Sequence, residues 1–284
     1  VRSGKPRLAV VGHVEWVQFA RVDRVPLAGE IAHASTEFEE PAGGGAVVAV
    51  ALARLAGAAT LFTALSDDEL GARSRKRLDE LGVGVRAVTR AQPTRRALTL
   101  VDDARERTIT TFGPRLDPGG ADGALGWADL AEMDAVYFTA GDAAALRAAR
   151  AARVLVASPR ARDALGAGVA LDALSLSSED PTESAHARDA SADAELVIST
   201  AGERGGSWRS REGREGHWTA VATEGPIVDT YGCGDAFAAG VTYGLGAGTD
   251  VEEAIALGAR CAAASLAGAG PYAGPLTPAL LDDD

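Results

Sequence analysis

The residues best suited to chemistry lie in one short stretch, Asp229-Thr230-Tyr231-Gly232-Cys233-Gly234-Asp235. Glycine at 232 and 234 lets the backbone turn sharply and approach a ligand. The apolar-periodic run that follows, Ala236-Phe237-Ala238-Ala239-Gly240-Val241, predicts a helix. Its first N–H groups have no partner inside the helix and point at an incoming anion, for which phosphate is the natural guest. A carboxylate in that place repels an anion unless chemistry compensates, and Asp235 suits a general base. It takes the proton of a hydroxyl while that oxygen attacks a phosphoryl group, and the N–H groups of Gly232, Cys233 and Gly234 hold the developing charge. The plainer reading has Asp235 complementing the helix dipole, and taken alone that reading is the stronger.

These residues need a scaffold, and the pattern along the chain supplies one. Arg7 to Val11 is a short β-branched run closed by Gly12, as for a buried first strand. Trp16 to Arg24 and Ile31 to Glu39 flank the turn signal Pro26-Leu27-Ala28-Gly29 and predict a hairpin outside the main sheet; Leu98 to Asp102 and Arg107 to Phe112 predict a second. Together they form a small β lid. Gly43-Gly44-Gly45 opens an alanine-rich helix that stops at Gly57, and Ser66-Asp67-Asp68-Glu69 caps a helix through Leu81. Thr60 to Leu65, Ala135 to Thr139, Val154 to Ala157, Ala173 to Leu176 and Leu196 to Ser199 read as strands between helical stretches. Pro226-Ile227-Val228 reads as a strand leading into the glycine turn, and Gly202 to Gly216 as an exposed hairpin or loop. Strand-helix alternation implies one α/β domain, a mostly parallel sheet covered on both faces, with ligands at the strands' carboxyl ends.

Composition narrows the function. The chain has 284 residues and a net charge of −12, which opposes a nucleic-acid or anionic-membrane partner. Lys5 and Lys76 are the only lysines and neither follows a glycine-rich loop, so the Gly-Lys-Ser/Thr phosphate loop is excluded. Two cysteines, Cys233 and Cys261, make no disulfide framework or metal pair, and no apolar run reaches membrane-helix length. A cytoplasmic protein is expected.

The phrase Asp-Thr-x-Gly-x-Gly-Asp-x-Phe over 229–237 resembles the second signature of the ribokinase, or PfkB, family of carbohydrate kinases. Gly43-Gly44-Gly45 with the helix ending at Gly57 resembles the family's first signature. Ser66 to Gly71 is similar to its Gly-x-Asp-x-x-Gly turn, Arg107-Thr108-Ile109 to a hairpin strand, and Thr200-Ala201-Gly202-Glu203-Arg204-Gly205 to its nucleotide loop. The resemblance implies a Rossmann-like three-layer sandwich spanning 1–284, with a β lid from about 14–40 and about 96–112. It implies ATP with Mg²⁺, a monovalent cation near Asp229, and a phosphorylated alcohol as product. It places Thr200, Gly202 and Gly205 near the nucleotide, Gly43 and Gly44 near the acceptor, and leaves Asp235 as base. An apolar lid with open edges suggests a homodimer.

The chain departs from this pattern where a sugar is held. The aspartate expected after the first-strand glycine falls at Val17, and the asparagine after Gly43-Gly44 falls at Val48 or Ala49. Glu15, Gln18, Asp23 and His13 are nearby substitutes; Glu15 leads, while Asp23 reads as a solvated lid residue and His13 as a strand-end histidine bonded to backbone. The family's Asn-x-x-Glu element meets Ser177-Ser178-Glu179-Asp180, giving Asp180 and Glu179 as metal-binding candidates or, equally, as a helix start before Pro181. Cys233 replaces a common alanine, and a small side chain that fits is preferred to an oxidisable thiol. Gly244 to Gly248 follows a helix and reads as its end rather than a dinucleotide fingerprint. Three readings follow: a kinase acting on a sugar or sugar-like hydroxyl; a nucleoside kinase with Trp16 and Phe19 available to stack on a base; and a binding or regulatory protein that lost acceptor recognition.

Overall fold

A computed structural model describes residues 4–282. The chain runs through β1 (Leu8–Val11), β2 (Glu15–Arg21), β3 (Thr36–Ala42), α1 (Gly44–Ala56), β4 (Ala59–Ser66), α2 (Glu69–Glu80), β5 (Val83–Arg90), β6 (Arg96–Val101) and β7 (Arg107–Phe112). It continues through β8 (Ala135–Phe138), α3 (Ala143–Ala149), β9 (Val154–Ala157), β10 (Leu171–Ser177), α4 (Pro181–Ala190) and β11 (Ala194–Thr200). It closes with β12 (Gly206–Ser210), β13 (Glu215–Trp218), α5 (Cys233–Ala247) and α6 (Val251–Ser265).

Nine strands form the central sheet in the order β13-β12-β11-β10-β9-β8-β1-β4-β5. It is parallel from β5 to β11 and antiparallel at the β12–β13 edge. β1, β8 and β9 are buried at every position, which explains their unbroken apolar runs. A parallel strand with helices on both faces has no solvent side. Alternate residues enter different cores. Leu8, Val10, Ala135 and Tyr137 join residues of α1, α5 and α6, whereas Ala9, Val11, Val136 and Phe138 join residues of α3 and α4. The result is a three-layer sandwich, and truncating a fully buried residue such as Leu55 to Ala would cost about 2–5 kcal/mol.

A second sheet has the order β3-β2-β6-β7; β2 pairs antiparallel with β3 and parallel with β6, and β6 pairs antiparallel with β7. These strands coincide with the four expected lid segments, although β3 begins at Thr36 because Ile31 to Ser35 lie in the preceding loop. The segment 202–216 becomes a hairpin on the edge of the central sheet. Two expectations need correction. Pro226-Ile227-Val228 is not a strand: it is a loop anchored where Val228 N–H donates to Leu266 O at 2.8 Å. β5 is a strand the sequence analysis did not name: Val83, Val85 and Ala87 alternate with Gly84 and Arg86, but Val88, Thr89 and Arg90 fall out of step. Among the described residues no helix is long and apolar enough to cross a membrane.

The sheet changes direction at β1: the chain moves outward to β4 on one side and then to β8 on the other. Strands diverging there leave a crevice at their carboxyl ends. Gly12 and His13 follow β1, Thr139 follows β8, and Arg160 follows β9, so all three segments open onto that crevice.

Candidate active site

Two helices begin at this crevice. α1 is capped by Gly43 at φ 87° and α5 by Gly232 at φ 79°, neither with a side-chain cap. No side chain takes up their first N–H groups, although Cys233 N–H donates to Thr230 O at a long 3.5 Å, and both positive helix ends point into the same space. A Cβ added to Gly44 would lie 3.2 Å from Thr139 Oγ1, 3.4 Å from Arg160 Nη1 and 3.5 Å from Asp235 Oδ1. Gly44 is therefore in the site through its lack of a side chain. Gly12 and Gly45 permit that approach, since a Cβ on Gly12 would stand 2.6 Å from Gly45 Cα.

Asp235 is buried in the first turn of α5. Its Oδ1 accepts from Arg160 Nη1 at 3.0 Å, and Arg160 Nε donates to Glu183 Oε1 at 2.7 Å. The other oxygen of Glu183 accepts from Ser177 N–H at 2.9 Å. Burial raises the Asp235 pKa above its ordinary value; Arg160 pulls it down and Glu183 pushes it up again. Arg160 keeps 40% of its side chain exposed, so it closes one wall while still meeting solvent. Arg107 reaches from β7 to Thr230, donating to its Oγ1 at 3.3 Å, and its charge also favours ionised Asp235.

The glycines of the expected anion pocket differ in surroundings. A Cβ on Gly234 would meet nothing within 4 Å, whereas one on Gly232 would stand 3.2 Å from Val47 Cγ1. Cys233 is partly exposed, and burial of its thiol pushes its pKa up, not down. That direction runs against an activated thiol. Asp229 ties the loop together: its two carboxylate oxygens accept from Tyr231 N–H and Gly270 N–H, both at 2.8 Å.

Among the residues expected near a nucleotide, Thr200 ends β11 and its Oγ1 donates to Leu176 O at 3.3 Å. Gly202 and Gly205 have φ of 56° and 83°, and a Cβ on Gly205 would collide with Trp218 O at 2.0 Å. The glycine at 205 thus has a packing reason of its own. Glu179 pairs with Arg204 at 3.0 Å, and Asp180 caps α4 by accepting from Thr182 N–H at 2.8 Å and Glu183 N–H at 3.2 Å. Of the two readings of these residues, the helix start is the one visible here. Among the described residues no group of three or more His, Cys, Asp or Glu could hold a metal.

Among the residues expected near the acceptor, Glu15 is buried and lies 3.3 Å from Arg95 Nε; burial raises its pKa, and Arg95 opposes the rise. A Cβ on Gly43 would stand 3.0 Å from the His13 ring and 3.3 Å from Glu15 Cγ. His13 is not bonded as expected, because its buried Nδ1 has no hydrogen-bond partner. Burial, with Arg115, Arg160, Arg95 and Arg162 around it, holds its pKa well below the usual imidazole value. Gln18 pairs with Glu37 on the surface, and Asp23 is exposed. Val17, Val48 and Ala49 are fully buried and touch no solvent-filled space. Phe19 stacks on Phe38 at 4.8 Å and meets Tyr231 edge-on at 4.8 Å, while Trp16 lies under Arg73.

Sequence reasoning missed Arg160, Glu183, Thr139, Arg95 and Arg115. Glu183 had a signal: Asp180-Pro181-Thr182-Glu183 keeps the Asn-x-x-Glu spacing, with Asp for Asn, three residues beyond the Ser177 to Asp180 frame. The others carry no local pattern and meet only through the sheet.

The family model described as pfkB family carbohydrate kinase matches residues 5–182 and 170–278. The chain belongs to the pfkB family. Like the family, it is a phosphotransferase with a hydroxyl acceptor, and the family uses ATP. An ATP-dependent ribose-1-phosphate kinase of Halopiger xanaduensis is 30% identical over 298 residues, covering 96% of each chain. Ribokinase of Arabidopsis thaliana, solved with ribose and ATP, superposes with a TM-score of 0.75 at 19% identity over 99% of this chain and 100% of that one. A Burkholderia thailandensis nucleoside kinase, solved with inosine, gives 0.74 at 19% identity over 97% and 96%. These two structures share the pfkB-type fold, a central mostly parallel sheet with a smaller second sheet.

Proposed function

We propose that Asp235 is the general base of phosphoryl transfer and that the N–H groups of Gly232, Cys233 and Gly234 form the anion hole. The observation that carries this is the meeting of two uncapped helix starts around one buried carboxylate, with the Gly44 Cβ position 3.5 Å from Asp235 Oδ1. Arg160 occupies Oδ1, so Oδ2 takes the acceptor's proton. The acceptor oxygen then bonds to the γ-phosphorus, the bond from that phosphorus to the bridging oxygen breaks, and ADP leaves. The α5 N-terminus and Arg107 stabilise the negative charge on the phosphoryl oxygens in transit. Thr200, Gly202 and Gly205 border the nucleotide at the end of β11, and Gly43, Gly44 and Glu15 border the acceptor.

Glu179 and Asp180 do not fit as metal ligands, since one is engaged by Arg204 and the other by helix N–H groups. Mg²⁺, when bound with the nucleotide, would supply neutralisation of phosphate charge, and neither of these two side chains is given a part in holding it. A monovalent cation near Asp229 would rely on loop carbonyls, because both carboxylate oxygens already accept backbone N–H groups. The second sheet acts as a lid over the acceptor. Its edge strands β3 and β7, with Ile109 and Phe112 exposed on β7, suit a homodimer.

A sugar-class acceptor is favoured. The Halopiger relative is named for a sugar phosphate, and Phe19, needed to stack a base, is already packed between Phe38 and Tyr231. A purely regulatory protein gains nothing from a buried carboxylate at an anion pocket. Asp235→Asn tests the reading: turnover on every acceptor should fall by roughly 10²–10⁴ while ATP binding by calorimetry persists. Undiminished turnover would remove Asp235 from the mechanism.

A further inference from the structure

The lid meets the loop ahead of α5 along a polar seam. The turn 102–106, which joins β6 to β7, closes on itself: Arg105 N–H donates to Asp102 O and Glu106 N–H to Asp102 Oδ1, both at 3.0 Å. Arg105 stands there at φ 68°, in the left-handed region that residues with a side chain seldom adopt. Its carbonyl accepts from Thr230 Oγ1 at 3.0 Å. The same hydroxyl accepts from Arg107 Nη1 at 3.3 Å, and that nitrogen also donates to Thr230 O at 3.5 Å. Arg21, at the end of β2, crosses the seam beside them, donating to Val228 O at 3.3 Å and lying 3.6 Å from Asp103.

Few side chains could take the place of Thr230. A hydroxyl carries one proton and two acceptor lone pairs; here the proton goes to the lid backbone and a lone pair receives the lid's guanidinium. Among the described residues, the two oxygens of Thr230 are the acceptors that the Arg107 side chain meets. An exposed arginine otherwise spreads over many rotamers. The body of the protein holds Thr230 from the other side, through Val228 N–H on Leu266 O and Asp229 on Gly270 N–H, both at 2.8 Å. Thr230 O also accepts from Cys233 N–H, where α5 begins. The lid turn, the guanidinium and the start of α5 therefore share one residue.

We propose that Thr230 is a positioning residue for phosphoryl transfer: its hydroxyl latches the β6–β7 turn of the lid to the start of α5 and so holds the Arg107 guanidinium beside the anion hole. Thr230 itself touches no reacting atom. With the latch made, Arg107 is aimed before the phosphoryl group moves. With it broken, the turn leaves the loop and the charge is averaged over rotamers. Fixed charge stabilises a transition state without reorganising, and a mobile one does not. This inference rests on the action of Arg107 on the phosphoryl oxygens assigned above.

Thr230→Val deletes the hydroxyl and nearly keeps the shape, and Thr230→Ser restores it. Turnover is measured with ATP and whichever of a panel of sugars, sugar monophosphates and nucleosides the wild type uses fastest. Thr230→Val should lower kcat about tenfold while the KM for ATP moves less than about threefold, and Thr230→Ser should regain most of the loss. Arg107→Gln should lower kcat in the wild-type background and add little in Thr230→Val, because the two residues act as a unit. Amide hydrogen exchange needs no acceptor: in Thr230→Val, peptides covering 102–112 should exchange at least about fivefold faster, while 238–247 of α5 and the melting temperature hold. The proposal is overturned if kcat holds in Thr230→Val, or if Arg107→Gln costs the same in both backgrounds. It is equally overturned if exchange stays unchanged over 102–112, or rises alike there and in 238–247, as for a residue that only supports the fold. Full turnover of Arg107→Gln would overturn it together with the role assigned to Arg107. Full turnover of Asp235→Asn would remove the base alone and leave the latch standing.

Discussion

Asp235 lies between opposed influences. Burial disfavours its charge and raises its pKa, while the guanidinium of Arg160, 3.0 Å from Oδ1, favours the ionised form. As a base it must be ionised, so kcat/KM should fall as pH drops through a pKa above the ordinary aspartate value. Arg160→Gln removes the favourable charge and leaves desolvation and Glu183 in place. The pKa then rises further, and the acid limb of the pH–rate profile should move to higher pH. A limb that stays put or moves down would show that Asp235 is not the titrating base. The residue scale also shows what spacing could not reveal: Arg160 and Asp235 are 75 positions apart, and no periodicity along the chain links them.

At the level of elements, the site is made by ends rather than middles. β1, β8, β9, β10 and β11 end at the crevice, and α1 and α5 start there. Some glycines serve these junctions and others serve the ligand, and substitution separates them. Gly205→Ala puts a methyl 2.0 Å from Trp218 O at φ 83°, which costs at least ~1–3 kcal/mol from the backbone alone; its melting temperature should drop clearly. Gly234→Ala places a methyl in open space within the first turn of α5. Alanine suits a helix better than glycine by up to about 1 kcal/mol, so thermal stability should hold or rise while kcat falls as the methyl crowds the anion hole. Equal loss of stability in both variants would contradict the division. The element boundaries were largely legible because the parallel strands are continuous apolar runs. β5 was not, since an edge strand beside solvent tolerates Arg86 and Arg90. The segment at Pro226 to Val228 misled for the opposite reason: three strand-like residues found no neighbouring strand to pair with.

For the molecule as a whole, two sheets with separate duties share one chain. The nine-stranded sheet fixes the crevice, and the four-stranded sheet leans over it through Arg107 and Glu15. Its unpaired edges and the exposed Ile109 and Phe112 are the features from which a lid-to-lid dimer is expected. Sedimentation should give a dimer at micromolar concentration, and Ile109→Glu with Phe112→Glu should shift it to monomer with the fold intact by circular dichroism. A monomeric wild type would set the dimer aside. The strong negative charge of the chain makes the grouping of arginines around His13 more informative, because it runs against the average field of the protein.

The sequence by itself determined the α/β alternation and the glycine turn into the helix that carries Asp235, since each depends on residues close together along the chain. It also determined that Val17 and Val48 or Ala49 cannot bind hydroxyls. What surrounds Asp235 was decided only by the tertiary structure. Arg160 follows β9 of the central sheet, Arg95 precedes β6 and Arg115 follows β7 of the smaller sheet, and Glu183 lies in α4, so only the packing of the two sheets and a helix brings them together. Long-range placement of that kind leaves no trace in local pattern, which is why Asp235 could be read before its neighbours.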